Sequence, residues 1–149
     1  MSRAPSKEDL RAWVSVIRTY HLCNAALIHR LKPLGLKLAQ FEVLVRLLHE
    51  PGQSQQQLAA NSFVVKSHMS GLLAEMIEQG WVKRGEQEGD KRSKPASLTA
   101  KGQALARKAA AVQDEVVGAM FAPLTRRQIS DTDQIMKTVS EALLNFGER

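Results

Sequence analysis

The segment 58-LAANSFVVKSHMSGLLAEMIEQGWVKR-84 decides the fold. Leu58 and Ala59 belong to a short helix that begins around Ser54, a residue type that caps helix N-termini well. After a brief turn, a second helix repeats its apolar residues three and four positions apart, and Gly80 ends it. The apolar residues of this second helix, which we expect to face inward, are Met69, Leu72, Leu73, Met76 and Ile77. Two consecutive helices joined by a tight turn predict a helix-turn-helix.

The pattern changes directly after the second helix. Trp81 to Arg84 predicts a short strand, and Lys94 to Leu98 predicts its return, where Pro95 is acceptable only at a sheet edge. The intervening segment GEQEGDKRS is polar and contains glycine, which is typical of a hairpin loop. A hairpin at this place makes the unit a winged helix-turn-helix, in which the second helix enters the major groove of DNA.

Amphipathic helices lie on both sides of this central unit. Upstream, Ser6 and Asp9 resemble a capping box, and a long apolar stripe from Leu10 to Leu31 predicts one helix that Pro33 and Gly35 end. A further helix before Ser54 places four apolar side chains on one face, namely Phe41, Leu44, Val45 and Leu48.

Two more helices follow the hairpin. Pro123 separates them, and Thr125 with Gln128 forms a second capping box. The last helix repeats its apolar side chains nearly as a heptad seam does, and such a stripe needs a partner, of which a second copy of the chain is the simplest. The seam residues are Ile129, Thr132, Met136, Val139, Leu143 and Phe146.

Composition restricts the possible functions. A net charge of +6 and a pI of about 9.8 favour an anionic partner, nucleic acid before membrane surfaces. The single cysteine, Cys23, excludes a disulfide framework, and His49-Glu50 lacks the second histidine of a metalloprotease motif because Gln53 takes its place. We therefore expect no metal, no cofactor and no enzymatic activity. The polar N-terminus and the lack of a long apolar run predict a soluble, cytoplasmic protein without a membrane segment.

The second helix and the hairpin carry the candidate DNA contacts. Small or polar side chains point outward from the start of that helix and suit base edges or phosphates, while basic side chains cluster in the hairpin, where a narrow minor groove attracts arginine. The alternative is that both are ordinary solvated surfaces. The candidate residues are Lys66, Ser67, His68 and Ser70 of the second helix, Arg84, Asp90, Lys91, Arg92 and Lys94 of the hairpin, and in addition Ser54 at the start of the first helix.

The segment LAANSFVVKSHMSGLLAEMIEQGWVKR, followed by GDKRS and then by SLTAKG, resembles the MarR family (multiple antibiotic resistance regulators). The most specific stretch runs from about residue 34 to residue 103, where Asp90-x-Arg92 is similar to the wing motif of the family. The chain departs from the family at Gly71, where many relatives carry arginine or another long side chain. The fold class is thus mainly α with a small β-hairpin wing.

The resemblance implies a single domain over residues 1–149 that acts as a homodimeric repressor on a pseudo-palindromic operator. Residues 34–99 would form the DNA-binding lobe, and residues 6–32 and 100–147 the dimerisation helices. Lys66, Ser67, His68 and Ser70 would face the major groove, and Arg92, oriented by Asp90, the minor groove.

The resemblance also implies a cleft for a small aromatic or phenolic anion as effector. The residues that could line it are Trp13, Ile17, Tyr20, His21, Asn24, Phe41 and Arg46. The alternative is that Trp13, Ile17 and Phe41 are simply core residues.

Two other functions remain open at this point. The chain could be a helical dimerising adaptor that binds a protein partner. It could also be a peroxide-sensing regulator that acts through Cys23, although an inert, structural cysteine is the expectation because His21, two residues away, lies on another helix face.

Overall fold

The computed structural model describes residues 3–63, 66–85, 89 and 93–147, without the side chain of Lys66. In this part of the chain the element order is four α-helices, two strands and two α-helices, with a 3-10 turn at Lys32–Leu34. The helices are α1 (Lys7–Leu31), α2 (Leu38–His49), α3 (Gln55–Asn61), α4 (Lys66–Glu78), α5 (Ala100–Phe121) and α6 (Arg126–Gly147), and the strands are β1 (Val82–Arg84) and β2 (Ala96–Leu98). None of these helices is long and apolar enough to cross a membrane.

Local capping sets the helix starts as the sequence predicts. At α1, the Ser6 hydroxyl accepts from the Asp9 amide at 3.1 Å, and the Asp9 carboxylate accepts from the Ser6 amide at 2.7 Å. The same reciprocal pattern starts α3 at Ser54 and α6 at Thr125. Each pair satisfies amides that the first helical turn leaves without a partner.

The hydrophobic core lies among α2, α3, α4, the strands and the start of α5. Leu44, Leu58, Met69 and Leu73 are fully buried in it, together with Ala106 of α5. Ile77 is 37% exposed, so the prediction that it faces inward with Met76 is wrong. It follows the fully buried Met76 by one position, so its side chain is rotated about 100° around the helix axis from that of Met76.

The two strands pair antiparallel, with Val82 opposite Leu98 and Arg84 opposite Ala96. Both strands are shorter than predicted. Trp81 precedes β1, and its carbonyl accepts instead from the Thr99 amide at 3.0 Å. Lys94 and Pro95 precede β2, since proline has no amide to donate to a ladder.

The chain divides into two compact units, residues 1–116 and 117–149. The first contains α1 to α4, both strands and most of α5, and the second contains the end of α5 and all of α6. No residue of α6 is buried, and the seam residues Leu143 and Phe146 are 65% and 78% exposed.

The start of α5 lies against the chain that leads into β1. A Cβ added to Gly102 would overlap the Trp81 carbonyl oxygen, far inside van der Waals contact. Only glycine permits this approach.

We therefore expect Gly102→Ala to lower the free energy of unfolding by about 1–3 kcal/mol through overpacking. The control is Gly71→Ala in α4, where an added Cβ meets nothing within 4 Å, and which should stabilise the protein by about 0.5–1 kcal/mol. Urea unfolding of both variants checks this. Equal effects from the two changes would contradict the close packing of α5.

Candidate nucleic-acid interface

Helix α4 separates a buried face from a polar one. Met69, Leu73 and Met76 are fully buried, so the opposite face is turned outward. Four residues in the first two turns of α4 are exposed on that face, namely Ser67, His68, Ser70 and Gly71. Their side chains are small or polar, and the surface of the helix can therefore come close to another polar surface.

Helix α2 fixes α4 through a buried amide. Gln40 is 4% exposed, its Nε2 donates to Glu75 Oε1 of α4 at 3.2 Å, and its Oε1 accepts from the Lys37 amide at 2.9 Å. Lys37 Nζ lies 3.9 Å from the same Glu75 oxygen. A buried amide with both ends satisfied holds the two helices in one relative position.

A half-buried carboxyl reaches the turn between α3 and α4. Glu42 of α2 accepts a hydrogen bond from the backbone amide of Phe63. Burial raises the pKa of the Glu42 carboxyl above its ordinary value, and the Phe63 amide and the nearby Arg46 guanidinium oppose that rise. The helix-turn-helix turn is thus tied to α2 by an acidic side chain whose charge is only partly compensated.

The base of the hairpin is tied to α3. Arg84 is half-buried, and its Nη2 donates to Oε1 of Gln55, which is 4% exposed, at 3.2 Å. Across the hairpin, the Gly85 amide donates to the Pro95 carbonyl at 2.7 Å. On the other side of β2, Ala96 bridges to Gln53, with its amide donating to the Gln53 carbonyl at 2.8 Å. The hairpin therefore leaves the lobe in a fixed direction.

Of the remaining candidate DNA contacts, two lie among the described residues and four do not. Ser54 is half-buried, and its hydroxyl already caps α3. Lys94 is half-buried at the return of the hairpin. Asp90, Lys91, Arg92 and the side chain of Lys66 lie outside the described residues, so their assignment stays a prediction.

The candidate effector residues are divided between the surface and the core. Four of them are exposed on α1, namely Trp13, Ile17, Tyr20 and His21, and Trp13 is 61% exposed. Asn24 of the same helix is half-buried. Phe41 lies in the core at 6% exposure, and Arg46 is half-buried on α2. The rings of Tyr20 and His21 meet edge to face, with centroids 5.7 Å apart. Cys23 is half-buried on the same helix.

Sequence reasoning missed the side chains that hold α4 and the hairpin in place. Gln40, Glu42 and Gln55 read as ordinary polar residues, because their partners lie 35, 21 and 29 positions away along the chain. The available signal in the sequence was Gln40, a polar residue next to the apolar residues of the buried face of α2, which indicates a buried hydrogen bond. Within the described residues, no cluster of histidine, cysteine and carboxylate side chains could hold a metal ion.

The chain is similar to proteins of one family. A model of the MarR family matches residues 34–93. The HTH-type transcriptional repressor Rv2887 of Mycobacterium tuberculosis is 39% identical over 98 residues, which make up 66% of this chain and 70% of the repressor.

Solved structures agree with this similarity. Sco3205, a MarR family transcriptional regulator from Streptomyces coelicolor in complex with DNA, matches with a TM-score of 0.83 at 28% identity over 94% of each chain. Rv2887 in complex with p-aminosalicylic acid matches with a TM-score of 0.66 at 31% identity, over 85% of this chain and 96% of that one. The winged helix-turn-helix predicted from the sequence is confirmed.

The raised pKa of Glu42 makes a prediction about stability. A carboxyl whose pKa is higher in the folded state binds more protons when folded, so its contribution to stability falls as pH rises through and above the ordinary glutamate range. Glu42→Gln removes that titration and keeps an acceptor for the Phe63 amide. We expect the melting temperature of the variant to gain on the wild type as pH rises through and above the ordinary glutamate range, because only the wild type loses stability there. A constant difference across this range would contradict the assignment.

Proposed function

The chain belongs to the MarR family, and we propose that it is a transcriptional repressor which binds duplex DNA as a homodimer on a pseudo-palindromic operator. The observation that carries the proposal is the exposed polar face of α4 on a helix whose position is fixed by Gln40 and Glu75. A recognition helix has to be held rigidly for its side chains to meet base edges at hydrogen-bonding distance. Occupying the operator requires no catalysis.

Each element of the lobe takes one part of the DNA in this proposal. Ser67, His68 and Ser70, with Lys66, face the major groove. Arg92 enters the minor groove with Asp90 orienting its guanidinium, and the remaining polar residues of the lobe contact phosphates. These remaining residues are Ser54, Arg84, Lys91 and Lys94. The structure of Sco3205 with DNA supports this use of the fold.

The exposed apolar side chains of the terminal helices support the homodimer. On α1, Leu10, Trp13 and Val14 are each at least half exposed, and on α6 so are Leu143 and Phe146. A helix that exposes such a stripe is stable only when another surface covers it. A symmetric dimer covers both copies of the same stripe at once.

An aromatic anion is the proposed effector. The complex of Rv2887 with p-aminosalicylic acid supports this class of ligand. On α1, the exposed rings of Trp13 and Tyr20 with the half-buried Asn24 offer apolar and polar contacts, and the Arg46 guanidinium offers a cation. Binding there would lower operator affinity if the ligand prefers the free form of the dimer.

Salt dependence tests the DNA interface. With roughly 6–10 phosphate contacts per dimer, operator affinity should fall about 10³–10⁵-fold between about 50 and 200 mM salt. Fluorescence anisotropy on an operator selected from genomic fragments measures this. Arg92→Ala should flatten the slope and weaken binding, and Arg126→Ala on α6 removes the same charge outside the lobe and should change neither. A flat response of the wild type would favour the protein-binding adaptor.

The dimer is tested on α6. Leu143→Asp places an unpaired charge in the proposed seam twice per dimer, at a cost of several kcal/mol, and should give monomers or aggregates that no longer bind the operator. Asn145→Asp adds the same charge two residues away, about half a turn and hence on the opposite face of α6, and should leave the dimer intact. Size-exclusion chromatography with light scattering reads out both. A dimeric, DNA-competent Leu143→Asp protein would contradict the seam.

A further inference from the structure

Phe63, in the turn between α3 and α4, is the most exposed of the large apolar side chains that the structure describes, at 86%. Apart from Ile77 of α4, the other exposed large apolar side chains of the described residues lie on α1 or beyond residue 116. Phe63 therefore lies outside the apolar stripes that support the homodimer. An isolated ring of this kind gains apolar burial only from a different molecule.

The backbone directs this ring away from the core of the lobe. Ser62 follows α3 with extended dihedral angles (φ −121°, ψ 167°), and its Oγ is buried. Successive side chains of an extended backbone point to opposite sides, so Phe63 points outward where Ser62 points inward. The Phe63 amide donates to the half-buried carboxyl of Glu42 in α2. The turn is therefore held at its backbone while its ring stays exposed.

The ring lies beside the part of the lobe that faces DNA in the proposed function. Phe63 precedes Ser67 by four residues, which span at most about 14 Å even when fully extended. Ser67 and His68 are exposed in the first turn of α4, and the N-terminal residues of a recognition helix are those that contact base edges. Phe63 and the first turn of α4 therefore meet the same half-site.

The major groove offers one apolar group to such a ring. Its base edges carry hydrogen-bond donors and acceptors, and in addition the 5-methyl group of thymine, which phenylalanine can contact. The exposed residues at the start of α4 are polar or, at Gly71, without a side chain, so none of them offers an apolar surface of the same size. Their small side chains let α4 approach the groove closely, and the preceding turn approaches with it.

We propose that Phe63 contacts the methyl group of one thymine in each half-site of the operator and thereby determines the base at that position. Ring and methyl group both lose apolar surface to water when they meet. The contact rests on the proposed function, because it adds one base to the same DNA interface. Phenylalanine carries no charge, so the contact adds sequence preference without adding to the salt dependence of binding.

Deoxyuridine, which lacks only the methyl group of thymine, tests the contact. An operator is selected from genomic fragments with the wild type, and each thymine of the half-site is replaced in turn, in both half-sites at once. At one symmetric pair of positions the dissociation constant should rise about tenfold or more, because each lost methyl contact contributes about fourfold and the dimer makes two. Fluorescence anisotropy at constant salt measures this. An operator that tolerates deoxyuridine at every position would overturn the proposal.

Substitutions of Phe63 assign the contact to its ring. Phe63→Ala should bind the thymine operator about tenfold or more weakly than the wild type does, and should bind the thymine and deoxyuridine operators equally well. Phe63→Leu keeps an apolar side chain and should retain part of the preference for thymine. Ile77→Ala shortens the other exposed large apolar side chain described in the lobe, in the last turn of α4, and should keep both affinity and preference. Thermal melts verify that all three variants are folded.

Two proteins measured on two operators form a double-mutant cycle. An equal loss for Phe63→Ala on both operators would overturn the thymine contact, and so would no loss on either, which would instead favour a protein partner for the ring. The salt slope of Phe63→Ala should equal that of the wild type, and a flatter slope would contradict an apolar contact. A wild type that binds no duplex would overturn the proposed function together with the contact. A wild type that binds its operator without coupling between Phe63 and a thymine methyl group would overturn the contact alone.

Discussion

The lobe depends on the hydrogen bonds of one threonine. Thr99 Oγ1 donates to the Gly80 carbonyl at 2.6 Å and accepts from the Gly102 amide at 3.0 Å, while its own amide donates to the Trp81 carbonyl. One residue therefore joins the end of α4, the start of the hairpin and the start of α5. The bond to Gly102 joins residues three positions apart, whereas the bond to Gly80 joins residues nineteen positions apart. Together they hold the three elements in one fixed arrangement.

That junction explains why the lobe can be rigid although its strands are only three residues long. A two-stranded hairpin alone is marginally stable in water. Here the Gln53 bridge supports β2 from one side, and the bond from Arg84 to Gln55 supports β1 from the other. The buried side chains Val82 and Leu98 then face the core as a pair. The direction of the hairpin follows from these contacts, and so does the place where its basic residues begin.

The sequence was sufficient where structure is local. The caps at Ser6, Ser54 and Thr125 involve residues three positions apart, and Gly80 ends α4 with a φ of 76°, so short patterns predict them. The sequence was insufficient where hydrogen-bond partners lie far apart along the chain, as Gln40 and Glu75 do. The spacing of apolar residues does not indicate which other helix a polar side chain will contact. Burial could not be predicted from the sequence for a related reason. The apolar stripe of α1 predicts an amphipathic helix but does not show which surface covers the stripe, and only Leu31 of that helix is buried within the chain.

The short side chains on the exposed face of α4 restrict how the proposed operator could be recognised. A bidentate contact from a long side chain to one base contributes about 1–3 kcal/mol of discrimination. Ser67, His68 and Ser70 cannot make the paired contacts of arginine or glutamine, and Gly71 leaves open space where a long side chain would stand. Recognition by such a helix has to come from close approach and from fixed spacing of two copies, together with the shape of the minor groove. In the proposed function, rigid anchoring of α4 by Gln40 therefore contributes more to specificity than the side chain of Ser67, His68 or Ser70 alone.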